Sequence, residues 1–251
     1  MSNQRSPAEA WALTPVHANG NRYLSGGKGL VSLPDARVPA PEQYERLHTE
    51  IERASSPSRC FVVGVTSAVY GEGKTTVAMN LANTIAQNSP NRIALVDLNL
   101  RNRDLQSRLD LSPCSGIVDM VEDGDDNLSG IIYRTEYDNL TIIPAGRRSG
   151  NPARIARSPQ LADILCAVRA LNEFVVVDMA PVLPVTDTRI LARLVDGIVM
   201  VARAGVTPRE IVARAIDVVG KDRVLGVVLN GTDTAMPKWL HRYFGGAYSD
   251  L

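Results

Sequence analysis

The chain has 251 residues, 45% of them hydrophobic, with 27 basic and 27 acidic residues and a formal net charge of zero. That length suits one large domain, or a domain of about 200 residues plus an arm, and the balanced charge lacks the basic footprint of a nucleic-acid binder, so no nucleic-acid partner is expected. Cys60, Cys114 and Cys166 are widely spaced with no C-x-x-C, which argues against a disulfide framework or a cysteine metal site.

Residues 1–40 are rich in Gly, Pro, Ser and Asn and read as a flexible N-terminal arm or linker. The "GGKG" at 26–29 has no strand before it and no helix after it, so it is not read as a phosphate loop. The N-terminus lacks the apolar core of a signal peptide, and no apolar run reaches the ~18–20 residues of a membrane span. A cytoplasmic location is expected, with any recruitment to the inner face of the plasma membrane coming from a partner. Pro41 opens a helix through "PEQYERLHTEIERA", with Tyr44, Leu47 and Ile51 on one apolar stripe and charge elsewhere.

From residue 60 short β-branched runs alternate with helical stretches. "CFVVGV" (60–65), "RIALVD" (92–97), "LTIIP" (140–144), "EFVVVDM" (173–179), "GIVMVAR" (197–203) and "VLGVVLN" (224–230) read as strands, and 74–88, 158–172, 186–195 and 207–219 as helices. Strands apolar almost throughout are strands buried on both faces. The expected fold class is therefore α/β, a mostly parallel sheet with helices on both faces in a Rossmann-like three-layer arrangement. The main domain is expected over 41–235, with a tail at 236–251 that carries tyrosines.

The first strand runs into "TSAVYGEGKTT" and a helix. A phosphate loop needs backbone N–H groups converging on the phosphates and a helix N-terminus behind them. Gly71 and Gly73 let the backbone curl, with Glu72 between them. Lys74 would place a charge at the β- and γ-phosphates, and Thr75, followed by Thr76, would place a hydroxyl on Mg²⁺. Ala68 stands where the simplest pattern has glycine, and is tolerable if its φ is negative. Asp97 ends the second strand in "LVDLNLRNRD", facing the ligand crevice, where it would act on Mg²⁺, on the attacking nucleophile or on both; the bland alternative is a cap on the next turn. Arg101 and Arg103 default to solvated surface arginines. Asp178 ends "FVVVDMAP", the shape of a Walker-B strand whose carboxylate holds Mg²⁺. Asp187 is read as a helix cap. Asn230, ending "GVVLN", carries a donor and an acceptor suited to a base edge. These residues give a P-loop ATPase with Lys74, Thr75, Asp97 and Asp178 around Mg·ATP.

The segments "TSAVYGEGKTTVAMNLANTIAQ", "IALVDLNLR", "IIPAGRRSGNPARI", "VVVDMAPVLPVTDT" and "GVVLNG" resemble the cytoplasmic ATPase domain of the bacterial tyrosine kinases of capsule and exopolysaccharide synthesis, a branch of the partition and septum-site ATPases. The resemblance spans about residues 42 to 245. It implies a kinase that moves the ATP γ-phosphoryl group onto tyrosines of a C-terminal tail, here Tyr243 and Tyr248. It also implies a membrane-embedded polysaccharide co-polymerase, or chain-length regulator, as partner, and a homo-oligomer. Lys74, Asp97 and Asp178 take the catalytic positions. Val69 stands where partition ATPases carry a second lysine, which favours the kinase branch. Asn99 replaces the second acid of the family's D-x-D, and Glu45 and His48 replace the arginines of its oligomerisation helix. The alternative reading, of a different class, is a degenerate nucleotide-dependent regulatory ATPase of a polysaccharide export system.

Overall fold

The computed structural model describes residues 41–55, 59–111, 113–135 and 137–231. The arm over 1–40, the segment from residue 232 onward, and with it Tyr243 and Tyr248, lie outside the described residues. Seven strands form one sheet: β1 (Phe61–Ser67), β2 (Ile93–Leu98), β3 (Tyr133–Arg134), β4 (Leu140–Ile143), β5 (Phe174–Met179), β6 (Gly197–Arg203) and β7 (Val224–Asn230). Their order is β3-β4-β2-β5-β1-β6-β7, parallel except for β3 against β4. The six expected strands are all present. The two-residue β3 is the addition.

Helices cover both faces. On one lie α1 (Pro41–Ala54), α2 (Lys74–Asn88) and the short α3 (Asp104–Arg108). On the other lie α4 (Ile117–Asp123), α5 (Pro152–Ala156), α6 (Pro159–Leu171), α7 (Thr188–Leu191) and α8 (Arg209–Val219). Alternate residues of the central strands feed the two cores. Val63 and Val65 of β1 pack with Leu81 and Ile85 of α2, while Val62 joins Ile164 and Val168 of α6. Each of those strands is thus apolar almost throughout because each face meets a helix. Edge strand β7 differs: Leu225, Val227 and Leu229 are exposed.

The α1 stripe behaves as its spacing predicts, with Tyr44 and Ile51 buried and Leu47 packed beside them. His48 lies on the buried side too. Its ring meets Phe174 edge-on at a centroid distance of 5.7 Å, and its Nε2 is 3.3 Å from a Glu52 carboxylate oxygen. His48 is therefore spent on packing inside this fold. The expected helix at 186–195 is cut to Thr188–Leu191, and α3, α4 and α5 were not anticipated. Among the described residues no helix is long and apolar enough to cross a membrane.

Leu81 is fully buried between α2 and the sheet. Leu81→Ala should cost about 2–5 kcal/mol of folding stability, read as a lower urea midpoint at unchanged slope.

Candidate functional site

Every strand that carries a candidate residue ends on the same crest of the sheet. Between β1 and α2 the phosphate loop turns at Gly71 (φ 79°) and Gly73 (φ 88°), both in the left-handed region that glycine tolerates. Ala68 is buried and is not among the positive-φ residues, so the loop needs no glycine there. The α2 N-terminus has no side-chain cap and no acidic residue in its first turn. Its leading N–H groups are thus free of side-chain acceptors, as an anion site requires. Lys74 and Thr75 are buried at this end, and Thr76 is half-buried.

Parallel pairing sets the acids. β2 and β5 are neighbours, and Asp97 stands directly opposite Asp178 in their register. The Thr75 hydroxyl donates to Asp178 Oδ2 at 2.7 Å. Asp97 Oδ1 accepts from the Asn99 N–H at 2.9 Å. Asp97 Oδ2, Asp178 Oδ1 and Asn99 Oδ1 are buried with no hydrogen-bond partner. Burial and the charge of Asp178 push the Asp97 carboxyl well above the usual carboxylate range. Burial raises Asp178 from 3.8 to about 6, against the opposing pull of Lys74 and the Thr75 bond.

Orphaned carboxylate oxygens beside a threonine hydroxyl suit Mg²⁺, which takes one or two carboxylates together with water and phosphate oxygens. Since Thr75 donates its proton to Asp178, its oxygen lone pairs remain available to a cation. Among the described residues there is no cluster of three or more His, Cys, Asp or Glu that would form an all-protein metal cage.

Two residues expected to contact nucleotide make bonds within the protein. Glu72 is buried, and its carboxylate accepts from the Val69 N–H within the loop, from the Arg203 N–H at the end of β6 and from the Thr207 hydroxyl before α8. Asn230, expected at a base edge, donates from its amide nitrogen to the Glu72 carbonyl at 2.9 Å. Asp187 makes no side-chain cap bond. It is paired with Arg101 at 2.6 Å and lies 3.8 Å from Arg157, so Arg101 is not a free surface arginine.

No family model matches the chain. The tyrosine-protein kinase YwqD of Bacillus subtilis (strain 168) is 28% identical over 213 residues, covering 84% of this chain and 89% of that protein. The solved kinase domain of VpsO superposes with a TM-score of 0.65 at 28% identity, over 76% of this chain and 98% of that domain. Over most of its length the chain is similar in sequence and in fold to bacterial tyrosine-protein kinases. A further relative, the succinoglycan biosynthesis transport protein ExoP of Rhizobium meliloti (strain 1021), is 32% identical over 205 residues, 76% of this chain, while the chain spans only 26% of ExoP.

Among the sequence-derived kinase residues, the fold brings Lys74, Thr75, Asp97 and Asp178 to one end of the sheet. It adds the Asp187–Arg101–Arg157 cluster, which local spacing did not signal because its members come from three separate loops. Ala180, two residues past Asp178, ties that loop down: its carbonyl accepts from Thr66 at 2.7 Å and from Thr188 at 3.1 Å.

Both site acids hold their protons more tightly folded than unfolded. For Asp178 the stabilisation this lends the ligand-free fold is full below pH 3.8 and is lost as pH rises through about 6. Asp178→Asn should therefore gain stability over the wild type by about 1–3 kcal/mol between pH 4 and 7, measured by denaturant unfolding of the ligand-free proteins. Gly73→Ala should abolish nucleotide binding in a titration, since a Cβ there would collide with the Asn230 amide at a φ of 88°.

Proposed function

We propose that the chain transfers the γ-phosphoryl group of ATP to tyrosine hydroxyls, with Tyr243 and Tyr248 as acceptors, and thereby regulates exopolysaccharide or capsule polymerisation and export. The observation that carries this reading is the in-register pair Asp97 and Asp178, with Thr75 bonded to the second, at the mouth of a glycine-turned phosphate loop. The kinase and transport relatives support the same activity and setting.

In this reading the loop N–H groups and Lys74 hold the β- and γ-phosphates, and catalysis is mainly positioning and charge stabilisation. Thr75 and Asp178 would hold Mg²⁺, with Asp97 beside them. When bound, the ion neutralises charge that builds on the phosphate oxygens during transfer. Asp97 orients the tyrosine hydroxyl and accepts its proton. Its raised pKa makes its carboxylate a better proton acceptor than a solvated one. The bond from γ-phosphorus to the β,γ-bridging oxygen breaks, the bond to the tyrosine oxygen forms, and ADP leaves.

The reading extends to domain roles. Residues 41–235 bind and act on ATP, 236–251 supply the acceptor tyrosines, and 1–40 form an arm. A membrane-embedded co-polymerase recruits the chain to the inner face of the plasma membrane, and transfer runs between copies in a homo-oligomer.

Asn99 favours one competing reading, a regulatory ATPase that binds ATP without passing on its phosphate. It is buried and uncharged, so it adds no second base. Intact mass after incubation with Mg·ATP, with and without a cytoplasmic fragment of the co-polymerase, decides between them. The kinase predicts added phosphate that maps to Tyr243 or Tyr248 and falls at least ~100-fold in rate in Lys74→Ala. ATP binding with no phosphate added, even with the partner fragment, would leave the regulatory reading.

A further inference from the structure

We infer that Glu72 is a positioning residue that fastens the phosphate loop to the ends of β6 and β7 on the same crest of the sheet and so sets its affinity for nucleotide. The inference rests on the phosphate-loop reading and adds a role for a residue which that reading leaves unexplained. A carboxylate inside a loop built to bind phosphate has the wrong sign. It repels the ligand unless its charge is drawn off by donors of the protein.

Here the donors are present. Glu72 is 2% exposed. Its Oε2 accepts from the Val69 N–H at 2.8 Å, closing the loop on itself. Its Oε1 accepts from the Thr207 hydroxyl at 2.5 Å and, at a longer 3.4 Å, from the Arg203 N–H. These last two residues end β6 and lead into α8. The Glu72 carbonyl in turn accepts from the Asn230 side chain, at the end of β7. One residue thus joins the loop, the end of β6, the entry to α8 and the end of β7. A hydrogen bond to a charged group is worth more than a neutral one, so this clamp is built on the carboxylate's charge. With Gly71 and Gly73 on either side free to take other conformations, the clamp selects the one in which the loop N–H groups face the phosphate.

The sign of one substitution separates this role from bare repulsion. In Glu72→Gln the negative charge is gone, so if repulsion dominated, Mg·ATP would bind more tightly. If the clamp dominates, the amide turns an N–H₂ group toward a donor, a bond is lost, and binding weakens. Titration of the full chain with Mg·ATP should give a Kd raised about 10-fold or more in Glu72→Gln, and about 3-fold in Thr207→Val. The double variant should lie close to Glu72→Gln alone, because both changes break one network. For Thr207→Val the autophosphorylation rate at saturating ATP should stay within about 3-fold of the wild type, with the change confined to KM.

Unchanged or tighter binding in a folded Glu72→Gln protein would overturn the inference. If Glu72→Gln fails to fold, Thr207→Val decides alone: a Kd equal to the wild type, or a fall in saturated rate at constant Kd, overturns it. Wild-type protein that binds Mg·ATP without forming phosphotyrosine would sink the kinase reading and leave the clamp standing on its Kd values. Wild-type protein that binds no Mg·ATP would overturn both.

Discussion

Asp97 and Asp178 are forced side by side because β2 and β5 are parallel neighbours in register. Neither has solvent to disperse its charge, and both are fully buried. In a ligand-free fold this arrangement is a liability, since two carboxylates in low dielectric repel each other and neither is well hydrated. Much of the surrounding structure moderates that cost. Lys74 lies near both acids, Thr75 donates to one, and the Asn99 N–H donates to the other. A cation and its phosphates would complete the balance, so the resting site is poised to gain most from the ligand it is proposed to bind.

The same helix that meets the ligand also holds the domain together. The N-terminus of α2 faces the crest, while Val77, Leu81 and Ile85 are buried against the sheet. The position of Lys74 and Thr75 is therefore set by core packing several turns away rather than by the loop alone. On the outer side of α2, the inward-turned His48 ties α1 to the start of β5 through Phe174. Burial lowers the His48 pKa, against the pull of Glu52, which keeps the imidazole neutral where it packs.

The six long strands and helices α1, α2, α6 and α8 could be read from the sequence because each repeats a burial pattern over enough residues to show its period. Helices α3, α4 and α5 have only five to seven residues, too few for a helical period to stand out from neighbouring turns, while α7 was expected over 186–195 and is shorter, Thr188–Leu191. Lys74, Thr75, Asp97 and Asp178 were legible because each closes a strand or opens a helix. Asp187 was legible as a polar residue before a helix, but its arginine partners were not, since Arg101 is 86 residues away in the chain. Glu72 and Asn230 show the same limit more sharply: their residue types suit a ligand, and only the folded chain reveals that they also bond each other.

The bond between Asn230 and the Glu72 carbonyl spans 158 residues of chain. Synthesis runs from the N-terminus, so β1 and its loop leave the ribosome long before β7 exists. Through most of translation the loop lacks its last tether, and the nascent chain carries the glycines of a nucleotide site without the contact that shapes it. On the proposed clamp, the loop gains its last tether only at the end of synthesis, when the edge strand docks. A chain cut short before that strand would keep the loop sequence and lose that contact.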